Sequence, residues 1–306
     1  MRLLDTLDAL PADLRGGAVA IGNFDGVHRG HARIVERLLE KADQVGGPSL
    51  VFTFDPHPVR LLRPESAPSP LTWTDRKAEI LAELGVSAVI AYPTDEALLS
   101  LSPEDFFDSI VRRQLSARAM VEGPNFFFGR GRAGTIDRLR ELCAASDTLL
   151  EVVEPLKIGG EYVSSSRVRA AIQRGDVDEA RELSTKPYRI RGMVTHGVGR
   201  GHKLGFPTAN IDAIDTLVPG QGVYAGRAIT GADRWPAAIH IGPNPTFHEQ
   251  GLKVEVHLIG YNGSLYGQPL EVDFLKRLRD VHPFPSVEAL KAQLTRDIHA
   301  ASNPDS

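Results

Sequence analysis

An apolar run, Ala18-Val19-Ala20-Ile21, leads directly into Gly22-Asn23-Phe24-Asp25-Gly26-Val27-His28-Arg29-Gly30-His31. Ile34, Val35, Leu38, Leu39, Ala42 and Val45 then recur at helical spacing. Buried strand, tight turn and helix in that order commit this end of the chain to an α/β layer architecture. Glycines in such a turn let backbone N–H groups approach a ligand closely, and the new helix points its positive end at it. A phosphate chain is the natural guest, and His28 and His31 are spaced so that both can face it. Two histidines could also bind a metal, but no third ligand lies nearby in the sequence. The turn is neither a Walker A loop nor a G-x-G-x-x-G fingerprint.

The same alternation continues. Strand patterns fall at 50–54, 88–92, 118–122 and 149–153, with helical patterns at 75–84, from Ser102 onward, and at 134–145. They predict a doubly wound parallel sheet with helices on both faces, and ligands at the carboxyl ends of its strands. Three motifs sit at such ends. Phe54-Asp55-Pro56-His57-Pro58 ends the second strand, and its His57 either caps the loop or belongs to a site. Asn125-Phe126-Phe127-Phe128 ends the fourth. Three consecutive aromatics cannot all face one core, so a stacking surface for a flat ring stands beside core packing of one or two of them. Ser164-Ser165-Ser166-Arg167 opens a helix after the fifth strand. Its hydroxyls can cap that helix, and Arg167 suits phosphoryl oxygens. Gly175 closes the helix, and Asp176 with Glu179 forms a capping box for the next.

At Pro187 the pattern changes to short strands at 188–195, 222–229, 237–241, 253–258 and 270–274, separated by Gly/Pro turns. This predicts a small antiparallel β-barrel, closed by a helix with Ser286 as cap and Val287, Leu290, Leu294 and Ile298 as its apolar stripe. The expected domains are 1–185 and 186–306. Within the second, four glycines with Arg200 and Lys203 make a cationic loop before Thr208-Ala209-Asn210, and no helical pattern follows it. In Lys253-Val254-Glu255-Val256-His257-Leu258, alternation puts the three apolar residues on one face and Glu255 with His257 on the other. Plain exposure is the ordinary reading of such a glutamate.

Several motifs together carry a family resemblance. Gly22–His31 resembles the HxGH-type signature of nucleotidylyltransferases, in the variant of bacterial bifunctional riboflavin kinase/FAD synthetases. The segments GRGxxxGFPTAN (199–210) and VEVHL (254–258) resemble the riboflavin kinase half of the same family, so the likeness spans nearly the whole chain. The resemblance implies two reactions. The first domain would adenylylate FMN with ATP to give FAD and pyrophosphate, and the second would phosphorylate riboflavin to FMN with ATP and Mg²⁺. It assigns Gly22, Asp25, His28 and His31 to the ATP phosphates, Asn125 to the nucleotide, and Ser165 with Arg167 to a second phosphate motif. His28, His31 and Arg167 would be catalytic there. Phe54, Pro56, His57, Pro58, Phe126 and Phe128 would lie on the flavin side, with Arg279 at the flavin edge of the second site. Arg200 and Lys203 would bind phosphate, Thr208 and Asn210 would hold Mg²⁺, and Glu255 would be the base for the riboflavin hydroxyl. The chain departs from the family at Gly260, Asn262 and Ser264, where acidic residues are usual, and at Val281, where a glutamate is usual. Two other readings stand beside this one: an adenylyltransferase for another phosphorylated acceptor, and a non-catalytic flavin or nucleotide binder.

Composition narrows the partners. A net charge of −4 offers no general basic field for nucleic acid. The single Cys143 excludes an internal disulfide and a Cys-rich zinc site, and its helical pattern suits a small core residue. No apolar run reaches membrane length and no signal pattern opens the chain. The expectation is a cytoplasmic enzyme of small-molecule substrates, without membrane or nucleic-acid partners, with a homo-oligomer left open.

Overall fold

The structure, a computed structural model, describes residues 1–8, 10–197, 200–243 and 252–303, with the backbone but not the side chains of Arg200 and Lys203. The chain divides into two compact units. One comprises Met1–Pro68 and Trp73–Ser164, the other Ser69–Thr72 and Ser165–Ser306.

The first unit is built on strands β1 (Arg2–Leu4), β2 (Ala18–Ile21), β3 (Ser49–Asp55), β4 (Ala88–Pro93), β5 (Ala119–Glu122) and β6 (Leu149–Val152). All pair in parallel, in the order β1-β4-β3-β2-β5-β6. Alternate residues of the central strands feed two separate cores. Val19, Ile21, Leu50, Phe52 and Met120 pack with Phe106, Ile110, Leu139 and Cys143 on one face. Ala18, Ala20, Val51, Ala119 and Val121 pack with Val35, Leu38, Ala78 and Leu81 on the other. Helices α1 (Arg29–Val45), α2 (Pro58–Leu62), α3 (Thr74–Glu83), α4 (Glu96–Ser100), α5 (Pro103–Phe106) and α6 (Ile136–Ala145) connect the strands. Of these, α5 runs on as a π-helical stretch, Phe107–Gln114. Ser102 caps α5 and Cys143 is buried, as the sequence predicts. The short edge strand β1, with no apolar alternation of its own, and a small hairpin, β7 (Lys157–Ile158) with β8 (Glu161–Tyr162), were not legible in the pattern.

Strand order reverses between β2 and β5, which places a switch point where the turn after β2 and the loop after β5 begin.

In the second unit α7 (Ser165–Arg174) and α8 (Val177–Leu183) precede β9 (Tyr188–Thr195), α9 (Arg200–Leu204), β10 (Ala209–Asp212), β11 (Gly222–Thr230), β12 (Asp233–Gly242), β13 (Lys253–Leu258), β14 (Pro269–Arg279) and α10 (Val287–Ser302). The strands close into an antiparallel barrel in the order β10-β13-β12-β11-β14-β9. Ser286 caps α10 by accepting the Ala289 N–H. Asp176 caps α8, but the carboxylate of Glu179 turns to Arg167 and Arg174, so the expected reciprocal capping box is replaced by ion pairs. The cationic loop holds one helical turn, α9, and is followed by a strand.

Both helices α7 and α8 belong to the barrel's unit. Gly175 ends α7 at φ +75°, and a Cβ there would lie 2.4 Å from the Tyr224 hydroxyl on β11. The Gly220 N–H donates to Ile172 O at 2.9 Å. Only glycine meets both the turn and the close approach at 175.

Candidate functional site

The turn after β2 is strained as well as glycine-rich. Phe24 and Val27 have φ of +46° and +36°, a region costly for any residue with a Cβ and most costly for a β-branched one. Both side chains are buried, and that packing holds the backbone there. His28 is the N-cap of α1, its Nδ1 accepting the His31 N–H at 3.2 Å. A neutral ring with Nδ1 so used carries its proton on Nε2. The two imidazoles stack with centroids 3.6 Å apart. Burial pushes His28 down to about 4 and holds His31 well below its usual range, so both act as dipoles rather than cations near neutral pH. Among the described residues, Asn23 Oδ1 and His31 Nδ1 are buried without a hydrogen-bond partner. Orphans of that kind cost about 1–3 kcal/mol each and mark places where a ligand can complete the site.

Lys77 is buried beneath this turn. Its Nζ donates to Thr53 Oγ1 at 3.1 Å, and that hydroxyl donates to Asn23 O at 3.0 Å. Burial lowers the Lys77 ammonium, while Asp25 and Asp55 oppose the shift. The sequence reading missed this chain because it joins three segments far apart in the polypeptide. Gly22 donates its N–H to Phe52 O, and Asp25 is buried.

At the end of β3, His57 is the N-cap of α2, accepting the Val59 N–H at 3.1 Å. Its loop-capping role is therefore observed. Phe54 is partly buried edge-on to Phe52, and Pro56 O accepts from Thr94 Oγ1 at 2.6 Å. Pro58 is the first residue of α2. After β5, Asn125 is exposed in a turn closed by Phe126 N–H to Gly123 O. The three aromatics divide. Phe128 is 6% exposed in the core against Phe106, which corrects its expected place on a stacking surface, since its neighbours leave it no open face. Phe126 stacks on Phe128 and is half-buried. Phe127, not among the expected site residues, is 43% exposed with the Arg132 guanidinium 4.4 Å over its ring.

In the second unit Ser165 opens α7, and Arg167 Nε donates to Glu179 Oε1 at 3.0 Å. Arg167 is thus oriented by a carboxylate on the next helix. The side chains of Arg200 and Lys203 lie outside the described residues. On the barrel, Asn210 of β10 lies directly opposite Glu255 of β13, and Glu255 lies directly opposite His240 of β12. One row across three neighbouring strands therefore carries an amide, a carboxylate and an imidazole. Val254, Val256 and Leu258 are buried on the other face, as alternation requires. His240 Nδ1 is 3.8 Å from Glu255 Oε2, and burial pushes His240 down to about 4. Nothing in the local sequence of β12 marks His240, because only strand order places it beside Glu255. His257 Nδ1 lies 2.7 Å from Pro207 O and ties β13 to the segment that delivers Thr208. A Cβ on Gly197 would lie 2.2 Å from Asn210 Nδ2, so glycine lets the loop close over that amide. Arg279 forms a forked pair with Asp297 of α10 and lies over the Phe284 ring.

Residues 10–167 match the FAD synthetase family and residues 184–304 the riboflavin kinase family. A bifunctional riboflavin kinase/FMN adenylyltransferase of Pseudomonas fluorescens is 37% identical over 98% of this chain and 97% of its own length. The chain belongs to the bifunctional riboflavin kinase/FMN adenylyltransferase family. The enzyme of the same name from Escherichia coli K12 is 33% identical over 94% of this chain and 92% of its own. That of Bacillus subtilis is 33% identical over 91% and 89%. A crystal structure of a Streptococcus pneumoniae protein described as a macrolide-efflux protein superposes with TM-score 0.86 at 28% identity, covering 98% of both chains. Among the described residues, no helix is long and apolar enough to cross a membrane.

Proposed function

We propose that residues 1–185 carry the adenylylation of FMN and residues 186–306 the phosphorylation of riboflavin, with the following division of roles. The observation that carries the second assignment is the register that sets Glu255 opposite Asn210. A riboflavin 5′-hydroxyl must lose its proton as its oxygen bonds to the γ-phosphorus of ATP and ADP leaves. Glu255 accepts that proton, which is the work of a carboxylate within hydrogen-bond reach. Thr208 and Asn210 offer a hydroxyl and an amide oxygen beside Glu255, hard donors that fit Mg²⁺. Thr208 and Asn210 would hold the ion, which when bound neutralises phosphate charge. Arg200 and Lys203 supply cations from the preceding loop, and Arg279, fixed by Asp297, borders the flavin.

In the first reaction an FMN phosphate oxygen bonds to the α-phosphorus of ATP as pyrophosphate departs. That nucleophile is already anionic, so no strong base is needed, and positioning with charge stabilisation does the work. The buried, neutral histidines suit this task as oriented N–H donors. His28 and His31, with Gly22 and Asp25, face the ATP phosphates. Asn125 meets the nucleotide, and Ser165 with Arg167 the leaving phosphates. Phe54, Pro56, His57, Pro58 and Phe126 form the flavin side, to which we add the exposed ring of Phe127.

Purified protein given riboflavin, ATP and Mg²⁺ should yield FMN and then FAD. Glu255→Ala should abolish FMN formation while supplied FMN is still converted to FAD. Joint loss of both steps in a folded variant would defeat the division of labour.

A further inference from the structure

His240 enters none of the roles assigned above, yet it stands beside the proposed base. It faces Glu255 directly across the β12–β13 ladder, with Nδ1 3.8 Å from Oε2. Among the described residues that Nδ1 is buried and makes no hydrogen bond. A buried ring nitrogen without a partner is costly, so the fold holds it there against its own preference. The separation is too long for a hydrogen bond as it stands, but hydrogen bonds at catalytic groups are often long without substrate and tighten in the reacting complex. His240 also senses Arg279 and Asp297, the pair that anchors β14 to α10.

We propose that His240 is a positioning residue for riboflavin phosphorylation, its Nδ1–H closing onto Glu255 Oε2 and fixing the carboxylate that takes the hydroxyl proton. The inference rests on Glu255 being the base. Burial keeps the imidazole neutral, so it donates one hydrogen bond without adding a charge that would weaken the base.

The test uses the full chain with riboflavin, ATP and Mg²⁺. His240→Leu fills the space without a donor, and His240→Asn puts an amide Nδ2 where the ring Nδ1 stood. His240→Leu should lower kcat for FMN formation by about tenfold or more with KM for riboflavin and ATP within about twofold. FMN adenylylation, measured on the same sample, should be unchanged and so reports an intact fold. His240→Asn should recover most of the loss, and His240→Leu should cost nothing further on the residual activity of Glu255→Gln. A His240→Leu enzyme with unaltered kcat overturns the proposal, as does equal loss in the Asn and Leu variants, which marks packing alone. Glu255→Gln separates the two ideas. Full kcat there removes the base assignment itself, whereas a dead Glu255→Gln beside an unaffected His240→Leu removes only the role of His240.

Discussion

His28 accepts the backbone N–H of His31 through Nδ1 and lies stacked on the same residue's ring, so one side chain both starts a helix and shapes the site at its tip. The arrangement leaves Nε2–H as the outward group of His28. Structure and chemistry are therefore coupled at this residue, and they can be separated by choice of substitution. An asparagine preserves the cap, whereas an alanine removes cap and ring together.

His28→Ala should lose about 1 kcal/mol of stability from the cap. It should also lower FMN adenylylation about 100-fold through loss of a donor to the phosphates. Riboflavin phosphorylation by the same sample should hold. His28→Asn should recover the stability but not the adenylylation. Parallel assays of the two steps, with a thermal melt, check this, and recovery of both properties in His28→Asn would refute the catalytic share.

Stability should fall on mild acidification. His28 is pushed from a usual 6.5 down to about 4 by burial. Between those values the unfolded chain binds the proton and the folded chain does not. The contribution is therefore full above about pH 6.5, is lost as pH falls, and stops changing below about pH 4. It amounts to about 3 kcal/mol at most. His240, lowered to about 4 for the same reason, adds loss over the same window. Thermal midpoints at pH 7.5 and 5 should converge in His28→Asn relative to the parent, and an unchanged difference would rule His28 out as a source.

Glu122 works in the opposite direction. It ends β5 and accepts the Ile21 N–H at 2.8 Å, bridging the two strands where the sheet order reverses. Burial raises its carboxyl well above the usual value, so the folded protein keeps a proton that the unfolded chain gives up as pH rises past about 4.5. Stability from this residue is thus lost toward alkaline pH. Glu122→Gln keeps the acceptor and removes the titration. It should raise the thermal midpoint at pH 8 and change little at pH 5. Equal midpoints at pH 8 would show that the carboxyl is ionised in the fold.

Fragments should report where the second unit begins. Val168, Ala171, Ile172, Val177, Ala180 and Leu183 of α7 and α8 are buried, and these helices cluster with the barrel. Burial of each larger side chain is worth about 1.5–3 kcal/mol. A fragment of residues 165–306 should therefore melt well above one of residues 186–306, with riboflavin phosphorylation in the first at least as high. Equal midpoints would show that α7 and α8 are dispensable to the barrel. Gly175→Ala should destabilise the longer fragment, because its Cβ meets the Tyr224 hydroxyl.

Sequence by itself determined much of the local structure around its motifs. Apolar periodicity, the caps at Ser102, Asp176 and Ser286, and the shift at Pro187 are short-range features, and each reads from a handful of neighbouring residues. The alternation around Glu255 was equally legible. Tertiary structure decided what depends on distant partners. Which strand flanks β13, and hence that His240 and Asn210 bracket Glu255, follows from barrel closure. The burial of Phe128 beside an exposed Phe127 follows from packing on Phe106. The neutral state of His28 and His31 follows from desolvation by burial, which no local pattern encodes.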